Sequence, residues 1–255
     1  MEFGEAAAIL SRYRRATVLD TIAPDDLMWR GDREWYFAIG ESGLMAILMV
    51  LAAGRLTAVH DILDLPCGHG RVARHLRAAF PDAHMTFCDL NPAAVEFCVR
   101  NLGGDGVQSA PELTTLRFER KFDLIWVGSL LPHVDLPRIR RWLGFLAAQL
   151  KEDGILITTY HGAWSIMMHK LFPMITDERW ARILKGYEET GFGYEPYRDG
   201  MEYPYGINLS RPAVIVDLAA AIDGVRLLSY HERGWDNHQD VMALARTCRL
   251  EPWVR

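Results

Sequence analysis

Cysteine is scarce in this chain. Its 255 residues hold four, Cys67, Cys88, Cys98 and Cys248, and no two form a C-x-x-C pair. That spacing offers neither a zinc ribbon nor a dithiol redox centre. With no secretory context, it leaves the cysteines as reduced, packed thiols of a cytoplasmic protein. No basic stretch followed by an apolar core and a cleavage site opens the chain, so no signal peptide is expected. Apolar runs of bilayer length are missing too. The strongest, Gly43 to Ala53, is short and flanked by Glu41 and Arg55, and it reads as a buried helix. Positive charge is not in excess: the formal net charge is −5. The three arginines between Arg138 and Arg141 fall on an expected amphipathic helix, as a solvated face. Neither a nucleic acid nor a membrane is therefore expected as a partner. Internal repeats and low-complexity tracts are also lacking.

Half of the residues are hydrophobic, enough for a full core, and one domain over 1–255 is the simplest organisation. Helices are expected over 5–20 and 33–53. From Ala58 the pattern alternates. Strand Ala58–Leu65 precedes helix His69–Phe80, and strand Ala83–Cys88 precedes helix Pro92–Leu102, with Asn91 as N-cap and Pro92 at the first helical position. A short strand near Val107 follows. Strand Phe122–Gly128 leads to helix Leu136–Leu150, and Glu152-Asp153-Gly154 turns into strand Ile155–Tyr160. Such βα alternation implies a mostly parallel sheet with helices on both faces.

Residues 161–209 break the pattern. They are rich in Trp, Tyr, Met, Pro and Gly and show no clear strand, which points to an inserted subdomain or lid. Ser210-Arg211-Pro212 then starts a helix, Ala213–Ile222. Strands Val225–His231 and Val241–Thr247 close the chain, too near each other to be anything but antiparallel. The domain thus divides into N-terminal helices (1–56), a core (57–160), the insertion (161–209) and a closing helix and strands (210–255).

The most informative stretch is Asp64-Leu65-Pro66-Cys67-Gly68-His69-Gly70-Arg71. A strand ends on an acid, breaks into a glycine turn and opens a helix, so the backbone can approach a ligand closely with N–H groups facing it. Asp89 ends the next strand, where a carboxylate can accept from ribose hydroxyls. Gly68 to Ala73 also satisfies G-x-G-x-x-G/A, so a nicotinamide-dependent oxidoreductase competes with any other nucleoside-cofactor reading. Against it stand the charge of Asp64 before the turn, the closing pair of strands, and a further strand entered through Lys121-Phe122-Asp123.

These features resemble the class I S-adenosylmethionine-dependent methyltransferases. Asp64 to Arg71 is similar to that family's D-L-G-C-G-x-G-R turn. Cys88-Asp89-Leu90-Asn91 resembles its second-strand ending, Lys121 to Ile125 its fourth-strand entry, and Leu150 to Ile157 its turn into the fifth strand. The likeness covers roughly residues 36–248. It implies an α/β fold: a doubly wound, mostly parallel, seven-stranded Rossmann-like sheet with an antiparallel last strand, N-terminal helices, and a lid inserted between strands five and six. It also implies S-adenosyl-L-methionine as cofactor. The cofactor residues carried over are Asp64, Pro66, Cys67, Gly68, His69, Gly70, Asp89, Leu90, Gly128 and Ser129, with Tyr36 and Gly40 from the lead-in segment. Two departures stand out. Pro66 replaces the turn's first glycine, and no Asp follows the third strand. Glu112, Gln108, Ser109 or a backbone carbonyl would take the adenine there.

In an open parallel sheet the chemistry lies outside the carboxyl ends of the strands. There the sequence puts His133, His161, the aromatic insertion and the loop Gly234 to Asp240. Methyl transfer to a hydroxyl needs alignment, exclusion of water and a base of near-neutral pKa, so His238 and His161 are the candidate bases. His133, in a Leu-Pro-His-Val context, suits packing at least as well. Asp236, His238 and Asp240 alternate and could share a strand face, but nothing else completes a metal signature and none is expected. The expected activity is methyl transfer to a small molecule, a hydroxyl being favoured. A member of the same fold that binds cofactor without turnover is the remaining alternative.

Overall fold

The computed structural model describes residues 4–54, 58–200 and 202–246. Cys248 and Thr247, the latter expected to end the last strand, lie outside them. Two helices precede the sheet, α1 (Gly4–Tyr13) and α2 (Arg33–Gly54). The alternating core runs β1 (Asp61–Asp64), α3 (Ala73–Ala79), β2 (His84–Asp89), α4 (Pro92–Leu102), β3 (Asp105–Gln108), β4 (Phe122–Val127), α5 (Leu136–Ala147) and β5 (Leu150–Tyr160). The chain continues with α6 (Trp164–Leu171), α7 (Asp177–Thr190), β6 (Phe192–Pro196), β7 (Gly206–Ser210), α8 (Pro212–Ala220), β8 (Val225–Trp235) and β9 (Gln239–Arg246). Seven strands make one sheet in the order β3-β2-β1-β4-β5-β9-β8. β1 to β5 pair in parallel, and β9 is antiparallel to both β5 and β8. The expected mostly parallel sheet with an antiparallel last strand is what forms.

Local chemistry sets the element ends. Asn91 accepts from the Ala93 N–H and Pro92 occupies the first turn, so α4 starts where the sequence puts it. Asp135 caps α5 through the Arg138 N–H, and Pro212 opens α8. Helix α3 is a correction. It begins at Ala73 rather than His69, because Gly68 and Gly70 hold φ of +49° and +76° and keep 68–70 in a turn. Helix α5 likewise ends at Ala147, short of Leu150, which already belongs to β5.

The insertion is a second correction. Residues 161–209 contain a strand pair after all, β6 against β7, with α6 and α7 beside it. Trp180, Ile183, Ile207 and Leu209 form its own small core. β8 and β9 also run further than expected and leave a tight turn at Asp236 and Asn237, with φ of +53° and +51°, values that suit the twist of a hairpin.

The sheet is covered on both faces. Ile62, Trp126, Ile157 and Ala243 pack under α1 to α4, while Leu63, Ile125, Leu156 and Leu244 pack under α5 and α8. Helix α2, at 22 residues, spans the expected 33–53 and one residue more. Among the described residues it alone is long and apolar enough to cross a membrane. Half of its apolar window is buried here, with Leu44, Ile47 and Leu51 in the core. Gly40 lets it approach α3, since a Cβ there would stand 2.2 Å from the Arg71 carbonyl oxygen.

His75 of α3 is buried at that contact, its Nδ1 2.8 Å from the Tyr13 hydroxyl. Burial, and then the neighbouring Arg74 charge, push its pKa down from 6.5 to about 4. An unfolded chain takes up this proton near pH 6.5 and the folded one does not, so the contribution of His75 to stability is lost as pH falls below 6.5. Urea midpoints at about pH 7.5 and about pH 5 should therefore drop less on acidification in His75→Gln than in the native protein. Equal drops would show that His75 titrates alike in both states.

Candidate functional site

Parallel strands β1, β2, β4 and β5 end at one edge, and the carried-over residues sit along it. Asp64 ends β1. It is 1% exposed and its Oδ2 has no hydrogen-bond partner among the described residues. Burial, with Asp89 nearby, holds its pKa well above the usual carboxylate range. A buried bare carboxylate is costly unless something cationic or hydrogen-bonding completes it. The turn follows at once, with a cis peptide between Leu65 and Pro66. Beside Gly68 a Cβ would meet nothing within 4 Å, so that face of the turn is open.

Asp89 ends β2, and its two oxygens accept from the Gly68 and Asn91 N–H groups at 2.8 Å each. Each carboxylate oxygen can accept again, so the group sets the turn and still offers lone pairs to a ribose. Leu90 beside it is 55% exposed, an apolar platform at the mouth of the edge. These features fit S-adenosylmethionine. Asp64 can complete the cationic amino-acid end, Asp89 the ribose, and Leu90 the adenine face.

Several expected residues are turned elsewhere. The Glu112 carboxylate is taken up by Trp142 Nε1 at 2.6 Å, Arg141 at 3.1 Å and the Thr114 N–H and hydroxyl, so it ties α5 to the turn before β4 instead of reaching adenine. The amide of Gln108 donates to the Asp89 and Leu90 carbonyls, and Ser109 donates its N–H to Asp89. Tyr36 is wholly buried. Its hydroxyl donates to Asp26 at 2.6 Å, and Trp29 and Phe37 meet its ring edge-on. Gly40 serves the α2–α3 contact. Gly70 faces Cys98 Sγ and Leu102, and Gly128 makes room for the Trp126 indole. Cys67 is buried beside Cys98, so it contributes only backbone. The His69 ring is buried between Asp25, Asp26 and Phe97, facing the N-terminal segment.

Sequence reasoning missed what holds that segment. Arg74, 1% exposed, donates to the carbonyls of Leu19, Thr21, His69 and Gly70. The only trace in the sequence is an arginine four residues after Gly70. Also missed was a closed ring of hydrogen bonds among Ser129 after β4, Thr159 in β5 and Gln239 at the start of β9.

Farther along the edge three histidines meet. His161 stacks on His238 at 5.5 Å between ring centroids and 21° between planes, and His133 meets His161 edge-on at 5.7 Å. His161 is buried, with Nδ1 3.3 Å from the Asn208 carbonyl. A carbonyl only accepts, so Nδ1 carries the hydrogen and Nε2 is the basic nitrogen. Burial, then the charges that His133 and His238 would carry, put its pKa well below 6.5. His133 lies on the Gly206 carbonyl and the Tyr197 hydroxyl, at 2.9 Å from each, and burial lowers its pKa. His238 is less buried. Its pKa is lowered by burial alone, and its Nε2 has no partner among the described residues. The loop that carries it is docked by Trp235, whose Nε1 donates to the Ile39 carbonyl and whose ring meets Trp126 edge-on. Asp240 is spent on the Tyr230 hydroxyl and the Arg233 N–H. Among the described residues no three His, Cys, Asp or Glu side chains converge to hold a metal.

Residues 63–156 match the family model described as a methyltransferase domain. No curated protein matches the chain. Solved structures with the same fold include an S-adenosylmethionine-dependent methyltransferase from Clostridium acetobutylicum, with TM-score 0.56 and 15% identity over 82% of this chain and 92% of that one. The N-methyltransferase NodS from Bradyrhizobium japonicum, in complex with S-adenosyl-L-homocysteine, gives 0.54 and 13% over 95% and 98%. An amino pentose methyltransferase from Micromonospora echinaspora, with S-adenosylmethionine bound, gives 0.53 and 16% over 97% and 99%.

Asp64 provides a test with opposite signs. Asp64→Asn removes a buried acid that the protein alone leaves unpartnered, so the thermal midpoint of the cofactor-free protein should hold or rise. Affinity for S-adenosylmethionine should fall at least about tenfold by calorimetry. Undiminished affinity would remove Asp64 from the site.

Proposed function

We propose, from the premise that this chain is a class I S-adenosylmethionine-dependent methyltransferase, that it methylates a hydroxyl of a small molecule in the cytoplasm, with His238 as the base. The observation that carries the reading is the His238 Nε2, desolvated and without a partner, at the end of the sheet beside His161. The three histidines are uncharged at neutral pH, since burial depresses His133, His161 and His238 alike. Such a wall favours a neutral acceptor, and Tyr197 and Tyr205 around His133 give it aromatic surface. The insertion would act as the lid over that acceptor. The three described cysteines are buried thiols, in keeping with a reducing compartment.

The bound cofactor supplies an electrophilic methyl on a sulfonium. The chain's residues do the rest. Asp64, Asp89 and the open face of Gly68 would hold that cofactor, and the insertion would exclude water. His238 would hold the acceptor hydroxyl and take its proton, leaving the oxygen as the nucleophile toward the methyl. His238 is the better base of the pair, because its pKa is depressed less severely than that of His161, which also bears the repulsion of two neighbouring rings.

Turnover is measured as S-adenosylhomocysteine released with a panel of phenols and sugar alcohols. His238→Ala should lower kcat by roughly 10²–10⁴ with little change in cofactor affinity, and His161→Ala should cost less. A base acts in its neutral form, so a depressed pKa keeps it competent below pH 6.5, and the acid limb of kcat should fall below that value. A reversed ranking would move the base to His161. Turnover indifferent to both would mean that proximity alone drives transfer to an acceptor already nucleophilic, such as an amine.

A further inference from the structure

Ser129 is the first residue beyond the Gly128 that follows β4, and it holds a left-handed backbone, φ +55°, unusual for a residue with a side chain. Three hydrogen bonds hold it there. Its N–H donates to Thr159 Oγ1 at 2.8 Å, the Thr159 hydroxyl donates to Gln239 Oε1 at 2.6 Å, and Gln239 Nε2 donates to Ser129 Oγ at 3.0 Å. The ring has a direction, and that direction leaves the Ser129 hydroxyl proton, like the second amide hydrogen of Gln239, without an acceptor among the described residues.

The opposite direction is disfavoured by burial. With the Gln239 amide reversed, its nitrogen would donate to Thr159 Oγ1, which already accepts from Ser129. The Thr159 hydroxyl proton would then lack Gln239 as its acceptor. Thr159 is wholly buried, whereas Ser129 is partly exposed at the sheet edge. An unmade hydrogen bond on a buried hydroxyl is costly, and one facing the site is not. The protein thus builds a donor of fixed polarity and points it out of the ring.

We propose that this hydroxyl donates to the carboxylate of the cofactor's amino-acid end, and that Gln239 is the positioning residue that sets its polarity. The proposal rests on the cofactor reading above. The amino-acid end carries one cation and one anion. Asp64, on the strand paired with β4, is an acceptor only and suits the ammonium. Ser129, on the same edge, is the complementary donor for the carboxylate. Neither Thr159 nor Gln239 touches the cofactor in this arrangement; both act through Ser129.

The test is calorimetric binding of two probes, S-adenosylhomocysteine and 5′-methylthioadenosine, which lacks the amino-acid end. Ser129→Gly removes the hydroxyl and tolerates the positive φ, so folding is not put at risk. It should weaken S-adenosylhomocysteine about tenfold and leave methylthioadenosine unchanged. Gln239→Glu tests the polarity. Protonated, the new side chain can donate to Ser129 as the amide does; ionised, it only accepts and draws the Ser129 proton to itself. Its affinity for S-adenosylhomocysteine relative to the native protein should fall about tenfold as pH rises, with no such trend for methylthioadenosine. Ser129→Gly binding both probes as the native protein does would overturn the carboxylate contact. Equal loss of both probes would show mere distortion of the pocket and overturn it as well. A pH-independent ratio for Gln239→Glu would overturn the role of Gln239. If the native protein bound neither probe, the cofactor reading itself would fall instead.

Discussion

The buried guanidinium of Arg74 is the tie on which the shape of the site depends. It donates to carbonyls from two parts of the chain, Leu19 and Thr21 before α2, and His69 and Gly70 in the turn after β1. Arginine suits this place because its planar fork offers five donors and stays charged when buried. Four carbonyls and the Tyr36 hydroxyl take up those donors in water's place, and in return the turn and the N-terminal segment are locked together. Asp26, Tyr36 and His69 then pack at the same junction, with Gly40 letting α2 close on α3. The open face of Gly68 and the end of β1 are left as the concave edge.

That edge is electrostatically incomplete by construction. Asp64 Oδ2 and His238 Nε2 are both buried and both unpartnered among the described residues. Three other carboxylates show the contrast. Glu112 has four partners, Asp240 two, and Asp123 accepts from the His60 and Asp61 N–H groups and from Lys151. Unpartnered buried atoms occur away from this edge too, at His75, Ser165 and His169, but Asp64 is the one carboxylate among them in the described residues, and a desolvated acid at a sheet edge marks a place where stability is given up for binding. The same desolvation acts in opposite directions on the two groups. It raises the carboxylate and lowers the imidazole, so both are least charged in the cofactor-free protein and both gain from a ligand that supplies what is missing.

The parts legible in the sequence are those governed by neighbours along the chain. The α4 cap at Asn91-Pro92, the acid ending β2, the glycine turn and the alternation of buried strands with amphipathic helices all follow from spacing of a few residues. The β6–β7 pair was not legible, because Phe192 to Pro196 and Gly206 to Ser210 carry glycine and proline and too little alternation; their strandhood comes from pairing across the nine residues between them. Glu112 shows the same limit in a side chain. As a lone acid after β3 it is open to a ligand, and only the approach of Trp142 and Arg141 from α5 takes it away.

By itself, then, the sequence determined the sheet, its order of elements, the edge at which a nucleoside cofactor belongs and the presence of histidines there, because hydrophobic period, turn chemistry and strand polarity are properties of the chain. Tertiary structure decided which polar groups remain unspent at that edge. Tyr36, Gly40 and His69 were drawn into the packing, while Asp64 and His238 each kept an atom without a partner among the described residues. A side chain's hydrogen-bonding capacity is written in the sequence. Whether that capacity is already consumed depends on partners tens of residues away, and only folding brings them within 3 Å or leaves them out of reach.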